Sequence, residues 1–295
     1  MYASYWGLAE SPFRNRLDER WFCPSRTHEE ALARLDFLIQ QQCCFGVLSG
    51  PSGVGKSMLL KVLISQLKRT PREIVFVNLA GLEPDELLWN LAAAFRLAPM
   101  ENDSRLVLWR SIQDHLFGSR QSVQTVLIFD HLDEVAGSDS LRIVERLQHV
   151  DGSRSGRLTT IVAINCGQLA PRVDVPLAER ADHIPARSLA QLSDLRIELF
   201  PLDRIDTEFF IRHLLDKAGC QRRIFEQSAL DALYVRTAGL PHSLCRLCDL
   251  SLLAAMGDRL DAVSADIVHQ AAQELLTSSP QENGLSPVYP DLSLV

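Results

Sequence analysis

The sequence lacks any apolar run close to the roughly 18 residues that a membrane-spanning helix needs. Its first residues, MYASYWGLAESPF, also lack the basic leader and the apolar core of a signal peptide. We therefore expect a soluble, cytoplasmic protein without a membrane span.

Positive charge is in deficit. The 295 residues include 30 Lys and Arg against 37 Asp and Glu, which gives a net charge of −7, and there is no Lys/Arg-rich tail. This balance provides no sequence-wide attraction to nucleic acid or to an anionic membrane. A local basic patch, and with it DNA binding, is left open but is not favoured.

The cysteine pattern also excludes a class of protein. Seven cysteines, an odd number in mostly apolar surroundings, favour reduced core thiols over a disulfide framework. Cys245 and Cys248 have the spacing of a metal-ligand pair, but no second pair accompanies them and structural zinc normally takes four ligands. We expect these two thiols in the interior of a helix.

The first two thirds of the chain has an α/β pattern. Short apolar segments predict buried strands at 43–50, 73–80, 123–130, 158–165 and 195–200. Helical segments separate them, and this alternation is typical of a parallel sheet covered by helices on both faces. Residues 1–201 are therefore predicted to form an α/β domain, with 1–42 as an N-terminal segment.

The last third has a different character. Residues 202–277 contain helical patterns, three of which end at glycine, and they predict a small all-α domain. Residues 278–295 are rich in Ser and Pro without periodicity, which predicts a disordered tail.

A phosphate-binding loop lies between the first predicted strand and the helix after it. GPSGVGKS matches the pattern G-x-x-x-x-G-K-[ST] in the context that this motif requires. Loop amides at a helix N-terminus bind phosphate, Lys56 would reach the β- and γ-phosphates, and Ser57 would ligate Mg²⁺. The sequence thus predicts a P-loop NTPase that binds ATP and Mg²⁺. The predicted nucleotide-binding residues here are Gly50, Pro51, Ser52, Gly53, Val54, Gly55, Lys56, Ser57 and Met58.

Acidic residues follow the third predicted strand. Asp130 ends that strand, where its carboxylate can face the P-loop and hold Mg²⁺ directly or through water. Such NTPases usually place a second acid next in sequence to activate water, and here that position holds His131. Either an acid further along serves as the base, or hydrolysis is slow. The D-x-x-D-E pattern resembles NACHT-type NTPases, in which the second acid is displaced in this way. We favour Glu134 as the base, with Asp133 as the alternative. Asn165, at the end of the fourth strand, is a candidate to orient the attacking water.

Several segments together resemble a known family. YWGLAESPF resembles the Tyr-Phe-Gly-Leu…Pro-Phe opening of the general secretion pathway protein A ATPases, and SRTHEEALARL resembles their Ser…His…Ala-Leu-x-x-Leu segment. GPSGVGKSMLL matches their P-loop, and AGLPHSLCRLCDLSLLAA resembles their Gly-Ile-Pro-Arg lid segment. The chain therefore resembles an AAA+ ATPase of this group, which is similar to the transposition ATPases of the TniB type.

This resemblance implies an ATP site between the α/β domain and a helical lid, completed by a neighbouring subunit of a homo-oligomer. It implies that Arg196, in DLRIEL, is an arginine finger, with a surface arginine as the alternative. The lid arginine of the family is His242 here, and Arg246, one turn later, is a possible substitute. Phe13 or Tyr5 would line the adenine pocket, or these aromatics would pack the N-terminal segment against the sheet.

These features predict an ATPase that drives or regulates a protein partner, with a secretion or pilus assembly apparatus as the favoured setting. His131 and His242, in place of an acid and an arginine, predict slow turnover. The first alternative is a nucleotide-gated switch with little turnover. The second is a DNA-associated regulator of the transposition type.

Overall fold

The computed structural model describes residues 2–14, 17–119, 123–134, 137–150, 158–165, 193–220 and 222–278. From residue 279 onward, the tail that was predicted to be disordered lies outside the described residues. Cys166 also lies outside them.

A five-stranded, all-parallel sheet forms the centre of the first part of the chain. Its strand order is β2-β3-β4-β1-β5, which confirms the predicted parallel α/β architecture. The register places Gly50 beside Asn165, and Asn78 beside Asp130, so both of these polar strand ends lie at the carboxyl edge of the sheet. The strands are β1 (Phe45–Gly50), β2 (Arg72–Asn78), β3 (Gln124–Asp130), β4 (Leu158–Asn165) and β5 (Leu195–Glu198).

Two apolar clusters explain why the strands are apolar at successive positions. Leu127 and Phe129 of β3 point into one cluster, and Val126 and Ile128 point into the other. Because alternate side chains of a strand lie on opposite faces, the sheet has an apolar layer on each side. Helices α2 and α3 cover one face, and α4, α5 and α6 cover the other. The helices of this part are α1 (Tyr2–Trp6), α2 (Arg26–Gln40), α3 (Lys56–Leu67), α4 (Pro84–Ala94), α5 (Arg105–Ser119) and α6 (Gly137–Val150).

The chain after Pro201 is helical, which confirms the predicted helical C-terminal part, and we call it the helical domain. Its helices are α7 (Arg204–Lys217), α8 (Gln227–Thr237), α9 (Pro241–Gly257) and α10 (Ala265–Ser278), and they share one apolar core. Cys245 and Cys248 lie in that core within α9, and burial raises the pKa of the Cys245 thiol to about 12. Across the described residues, no group of three or more His, Cys, Asp or Glu side chains could hold a metal ion.

The N-terminal segment packs differently from the prediction. Trp6 and Phe13 belong to the core of the helical domain, where Phe13 makes an edge-to-face contact with Phe225 at 6.2 Å. The indole N–H of Trp6 donates to the carbonyl of Leu252 at 3.1 Å. Residues 2–13 are thus attached to the helical domain, although the sequence assigned them to the α/β domain. The aromatic side chains pack there because its helices leave an apolar surface that they fill.

No helix among the described residues has both the length and the apolar character to span a membrane.

Candidate functional site

A cavity of about 620 Å³ lies where the P-loop, the ends of β3 and β4, the first turn of α9 and the N-terminal segment meet. This volume is within the usual range for a small-molecule site. Most of the residues predicted to form the nucleotide site line it: Ser52, Gly53, Gly55, Lys56, Ser57, Met58, Asp130, Asp133, Glu134, Asn165 and His242. Gly50, Pro51 and Val54 belong to the P-loop but do not line the cavity.

Lys56 lies at the floor of this cavity. Its ammonium donates to the carbonyls of Gly50 and Pro51, at 2.8 and 3.0 Å, and to the side-chain oxygen of Asn165 at 2.9 Å. The P-loop main chain and the end of β4 therefore hold one cation between them. Its charge and the N-terminus of α3 make this floor suitable for an anion.

Asp130 ends β3 beside the P-loop and is only 3% exposed. One carboxylate oxygen accepts the main-chain N–H of His131 at 3.0 Å, and the other lies 3.5 Å from Nδ1 of the same histidine. In the part of the chain that the structure describes, no Lys or Arg forms an ion pair with Asp130. A buried carboxylate without a cationic partner is costly, so this position suits a bound cation.

Asp133 and Asn165 form a tight pair across the carboxyl edge of the sheet. The main-chain N–H of Asn165 donates to Oδ1 of Asp133 at 3.1 Å, and its side-chain amide donates to Oδ2. The amide oxygen is thereby turned towards Lys56. Asp133 thus orients Asn165, a role that the sequence did not suggest for it.

Glu134 is exposed and lines the same cavity. Its main chain is fixed by two hydrogen bonds. Its N–H donates to the carbonyl of His131 at 3.0 Å, and its carbonyl accepts from the main-chain N–H of Gly81 at 3.1 Å. His131 lies between Asp130 and the acidic pair Asp133 and Glu134. It has a φ of 58°, a left-handed conformation that is uncommon for residues other than glycine. The turn at His131 allows the chain to bring both Asp133 and Glu134 to the cavity.

The helical domain contacts the P-loop through the first turn of α9. The main-chain N–H of His242 donates to the carbonyl of Gly53 at 3.1 Å. A Cβ on Gly53 would lie 3.0 Å from Cβ of His242, and Gly53 has a φ of +79°, so both space and conformation favour glycine there. Arg246, the suggested substitute for a lid arginine, is exposed and does not line the cavity.

Arg196 lies outside this cavity. It is an exposed residue of β5 and borders a second, charged depression with Glu30, Arg34 and Glu198. The chain therefore does not bring Arg196 to its own P-loop. A finger acts on the site of a neighbouring subunit, so the predicted role of Arg196 stays a prediction.

The N-terminal segment contributes cavity residues that the sequence did not single out. Neither Tyr5 nor Phe13 lines the cavity, so the prediction that one of them contacts adenine is wrong in this structure, as is the alternative of packing against the sheet. The wall is instead built in part from Pro12, Arg14, Leu17, Trp21, Phe22, Cys23 and His28.

This wall segment is tied to both domains. The carbonyl of Phe22 accepts from Lys217 at 3.1 Å and lies 3.2 Å from Nε2 of His213, both on α7. His28, on the first turn of α2, contacts the P-loop instead, since its Nε2 lies 3.1 Å from the carbonyl of Val54. The Ser-x-x-His spacing at the start of α2 is the sequence signal that could have identified His28.

Comparisons with known proteins agree with this geometry. Residues 39–173 match the family model described as AAA domain. General secretion pathway protein A of Aeromonas hydrophila is 30% identical over 259 residues, which cover 86% of this chain and 45% of that protein. The chain thus spans less than half the length of this relative.

Solved structures show the same fold at low sequence identity. Drosophila ORC bound to DNA has a TM-score of 0.68 at 18% identity, with 94% of this chain and 66% of that chain covered. Cdc6p from Pyrobaculum aerophilum has a TM-score of 0.65 at 17% identity, with 92% and 74% covered. Residues 39–173 therefore match an AAA domain model, and the chain has the fold of these structures and is similar in sequence to General secretion pathway protein A.

Proposed function

We propose that this chain binds ATP with Mg²⁺ in the cavity between its two domains and hydrolyses it slowly, and that it thereby drives or regulates a protein assembly. The observation that carries the proposal is the position of Lys56, held by the P-loop carbonyls and by Asn165 at the floor of the cavity. The three contacts use all three N–H groups of the ammonium, so a phosphate oxygen would replace one of these acceptors while the others hold the charge in place.

The residues present suit Mg²⁺. Ser57 and the buried Asp130 line the same cavity and offer the oxygen ligands that this ion prefers. When bound, Mg²⁺ would neutralise charge on the β- and γ-phosphates.

Glu134 is the residue that we assign as the general base. Asp133 holds the amide of Asn165 with both of its oxygens, whereas Glu134 is exposed at the cavity wall. Because both oxygens of Asp133 are used to hold Asn165, Glu134 is the acid of this pair that is placed to accept a proton from water. Asn165, held by Asp133, is proposed to orient the attacking water.

A second candidate function is a nucleotide-gated switch with little turnover. His131 occupies the position next to Asp130 where a base is usual, and His242 stands where the family has a lid arginine. An imidazole does not provide the permanent charge and the planar fork of donors of a guanidinium. In this alternative the helical domain would sense bound nucleotide through the contact of α9 with the P-loop at Gly53.

The partner follows from the similarity to a secretion protein. We propose a cytoplasmic homo-oligomer in which Arg196 reaches the nucleotide of the neighbouring subunit, and a protein partner in an envelope secretion or pilus system. DNA is a less favoured partner, because the net charge is −7.

Phosphate release tests the proposal and separates the two candidates. The wild type should release phosphate from MgATP over multiple turnovers, and Lys56→Ala should not. If the wild type is stabilised by ATP in a thermal shift but releases no more phosphate than Lys56→Ala, the switch is correct. A wild type that is neither stabilised nor active excludes both.

A further inference from the structure

We propose that His28 is a positioning residue for the phosphate-binding loop, whose imidazole fixes the peptide between Val54 and Gly55 so that the Gly55 N–H faces bound phosphate. This inference rests on the proposed ATP site and adds to it a residue outside the P-loop motif.

The contacts of His28 define its hydrogen-bonding state. His28 is 6% exposed, with Nε2 3.1 Å from the Val54 carbonyl and Nδ1 2.6 Å from the Ser25 hydroxyl oxygen. Because a carbonyl only accepts, Nε2 must carry the proton that it donates. Nδ1 of the neutral ring then accepts from Ser25. Burial lowers the pKa of His28, which favours the same neutral form.

Ser25 binds the His28 ring instead of capping helix α2. It stands at the N-cap of α2, where a serine side chain normally accepts from a main-chain N–H of the first helical turn. Its side chain makes no such capping bond here, and its hydroxyl binds the His28 ring instead. The start of α2 is thus arranged to orient the imidazole.

The orientation of one peptide follows from the contact with Val54. The peptide group is planar and trans, so the carbonyl of Val54 and the N–H of Gly55 point in opposite directions. When His28 binds that carbonyl, the Gly55 N–H is turned away from the ring. Gly55 and His28 both line the cavity, whereas the Val54 side chain is buried. The N–H is therefore available to a phosphate oxygen at the start of α3.

The ring also explains why residue 55 has no side chain. A Cβ on Gly55 would lie 2.8 Å from Nε2 of His28, and the residue has a φ of +108°. His28 thus occupies the space that any larger residue would need.

Calorimetric titration with MgATP tests the proposal on the full chain. His28→Gln keeps an N–H at the position of Nε2, and His28→Leu keeps apolar volume but has no donor. His269→Leu, on α10 and away from the cavity, is the matched control for loss of a histidine. Thermal unfolding without nucleotide reports folding of each variant separately.

The proposal requires that MgATP affinity depend on an N–H donor at the position of His28 Nε2. We expect His28→Leu to bind MgATP about tenfold more weakly than the wild type, as loss of one buried hydrogen bond predicts. The affinity of His28→Gln for MgATP should stay within about threefold of the wild-type value, and that of His269→Leu should equal it. A His28→Leu protein with wild-type affinity, or a His28→Gln protein as weak as His28→Leu, would overturn the proposal.

A second variant covers the case in which His28→Leu does not fold. Ser25→Ala leaves the ring in place but removes the hydroxyl that orients it, and we expect an affinity about threefold weaker than that of the wild type. Wild-type affinity in Ser25→Ala would then overturn the role of His28. Absence of MgATP binding in the wild type itself would instead remove the proposed function on which the inference rests.

Discussion

Asp133 and Asn165 are joined by two hydrogen bonds, in which the main-chain N–H and the side-chain amide of Asn165 both donate to the Asp133 carboxylate. The amide oxygen of Asn165 in turn accepts from Lys56 at 2.9 Å. An acid of the loop after β3 is thereby connected to the P-loop lysine through the end of β4. This chain of contacts gives the two neighbouring acids, Asp133 and Glu134, different roles.

Substitution of the two acids should therefore have different effects. Glu134→Gln removes the proposed base, and we expect phosphate release to fall about 100-fold or more while MgATP affinity stays near that of the wild type. Asp133→Asn should weaken MgATP binding as well, because Asn165 would lose its orientation and Lys56 its fixed position. Phosphate release and calorimetry measure the two quantities.

Glu101→Gln is the control, because Glu101 is an exposed acid outside the cavity. Equal loss of affinity in Glu134→Gln and Asp133→Asn would contradict this division of roles.

Gly53 should be sensitive to substitution because of its contact with the lid. Gly53→Ala forces a side chain into the left-handed region and brings its Cβ to 3.0 Å from Cβ of His242. We expect the free energy of unfolding to fall by about 1–2 kcal/mol, because alanine is strained at a positive φ. We also expect weaker MgATP binding, because α9 must move from the P-loop. Gly7→Ala is the matched control, since Gly7 has a φ of +70° and an added Cβ there would meet nothing within 4 Å. Chemical denaturation and calorimetry should show similar stability losses but reduced affinity in Gly53→Ala alone. Reduced affinity in both variants would count against the lid contact.

The N-terminal segment should contribute to the stability of the helical domain. Trp6 is 2% exposed in the core of that domain, so Trp6→Ala should lower the free energy of unfolding by about 3–5 kcal/mol. Trp89, which is 39% exposed, offers a comparison of the same residue type, and Trp89→Ala should cost much less. Urea unfolding gives both values. Equal losses would mean that the segment does not pack as the structure has it.

Stability should depend on pH through His28. Burial lowers the pKa of this imidazole below its ordinary value of 6.5. The unfolded chain therefore binds a proton more readily than the folded one, so the contribution of His28 to stability is lost as pH falls below about 6.5. The wild type should lose more stability between about pH 7.5 and pH 5.5 than His28→Gln does. Parallel loss in both proteins, measured by urea unfolding, would indicate that His28 is not held neutral.

Much of the architecture could be predicted from local patterns. Apolar runs such as VLIF before Asp130 identify strands buried on both faces, and the glycines and Lys56 of the P-loop identify the anion site. These features are short-range, because neighbouring residues determine them. Helix α6 was missed, although Asp139 in its first turn and its apolar residues at helical spacing are local signals for it.

The remaining features depend on contacts between distant residues. Asp133 and Asn165 are 32 positions apart, and only the parallel pairing of β3 with β4 brings them together. The packing of Trp6 on the helical domain, and of His28 on Val54, likewise depends on where separate elements meet. Aromatic composition near the N-terminus indicates burial, but it does not indicate the surface against which the residues pack.

Calorimetric titration of MgATP into the wild type and into Lys56→Ala tests the central claim most directly. The account predicts saturable binding at one site per chain in the wild type and none in Lys56→Ala at nucleotide concentrations up to about 1 mM. Absence of uptake by the wild type over that range, or equal uptake by both proteins, would contradict it.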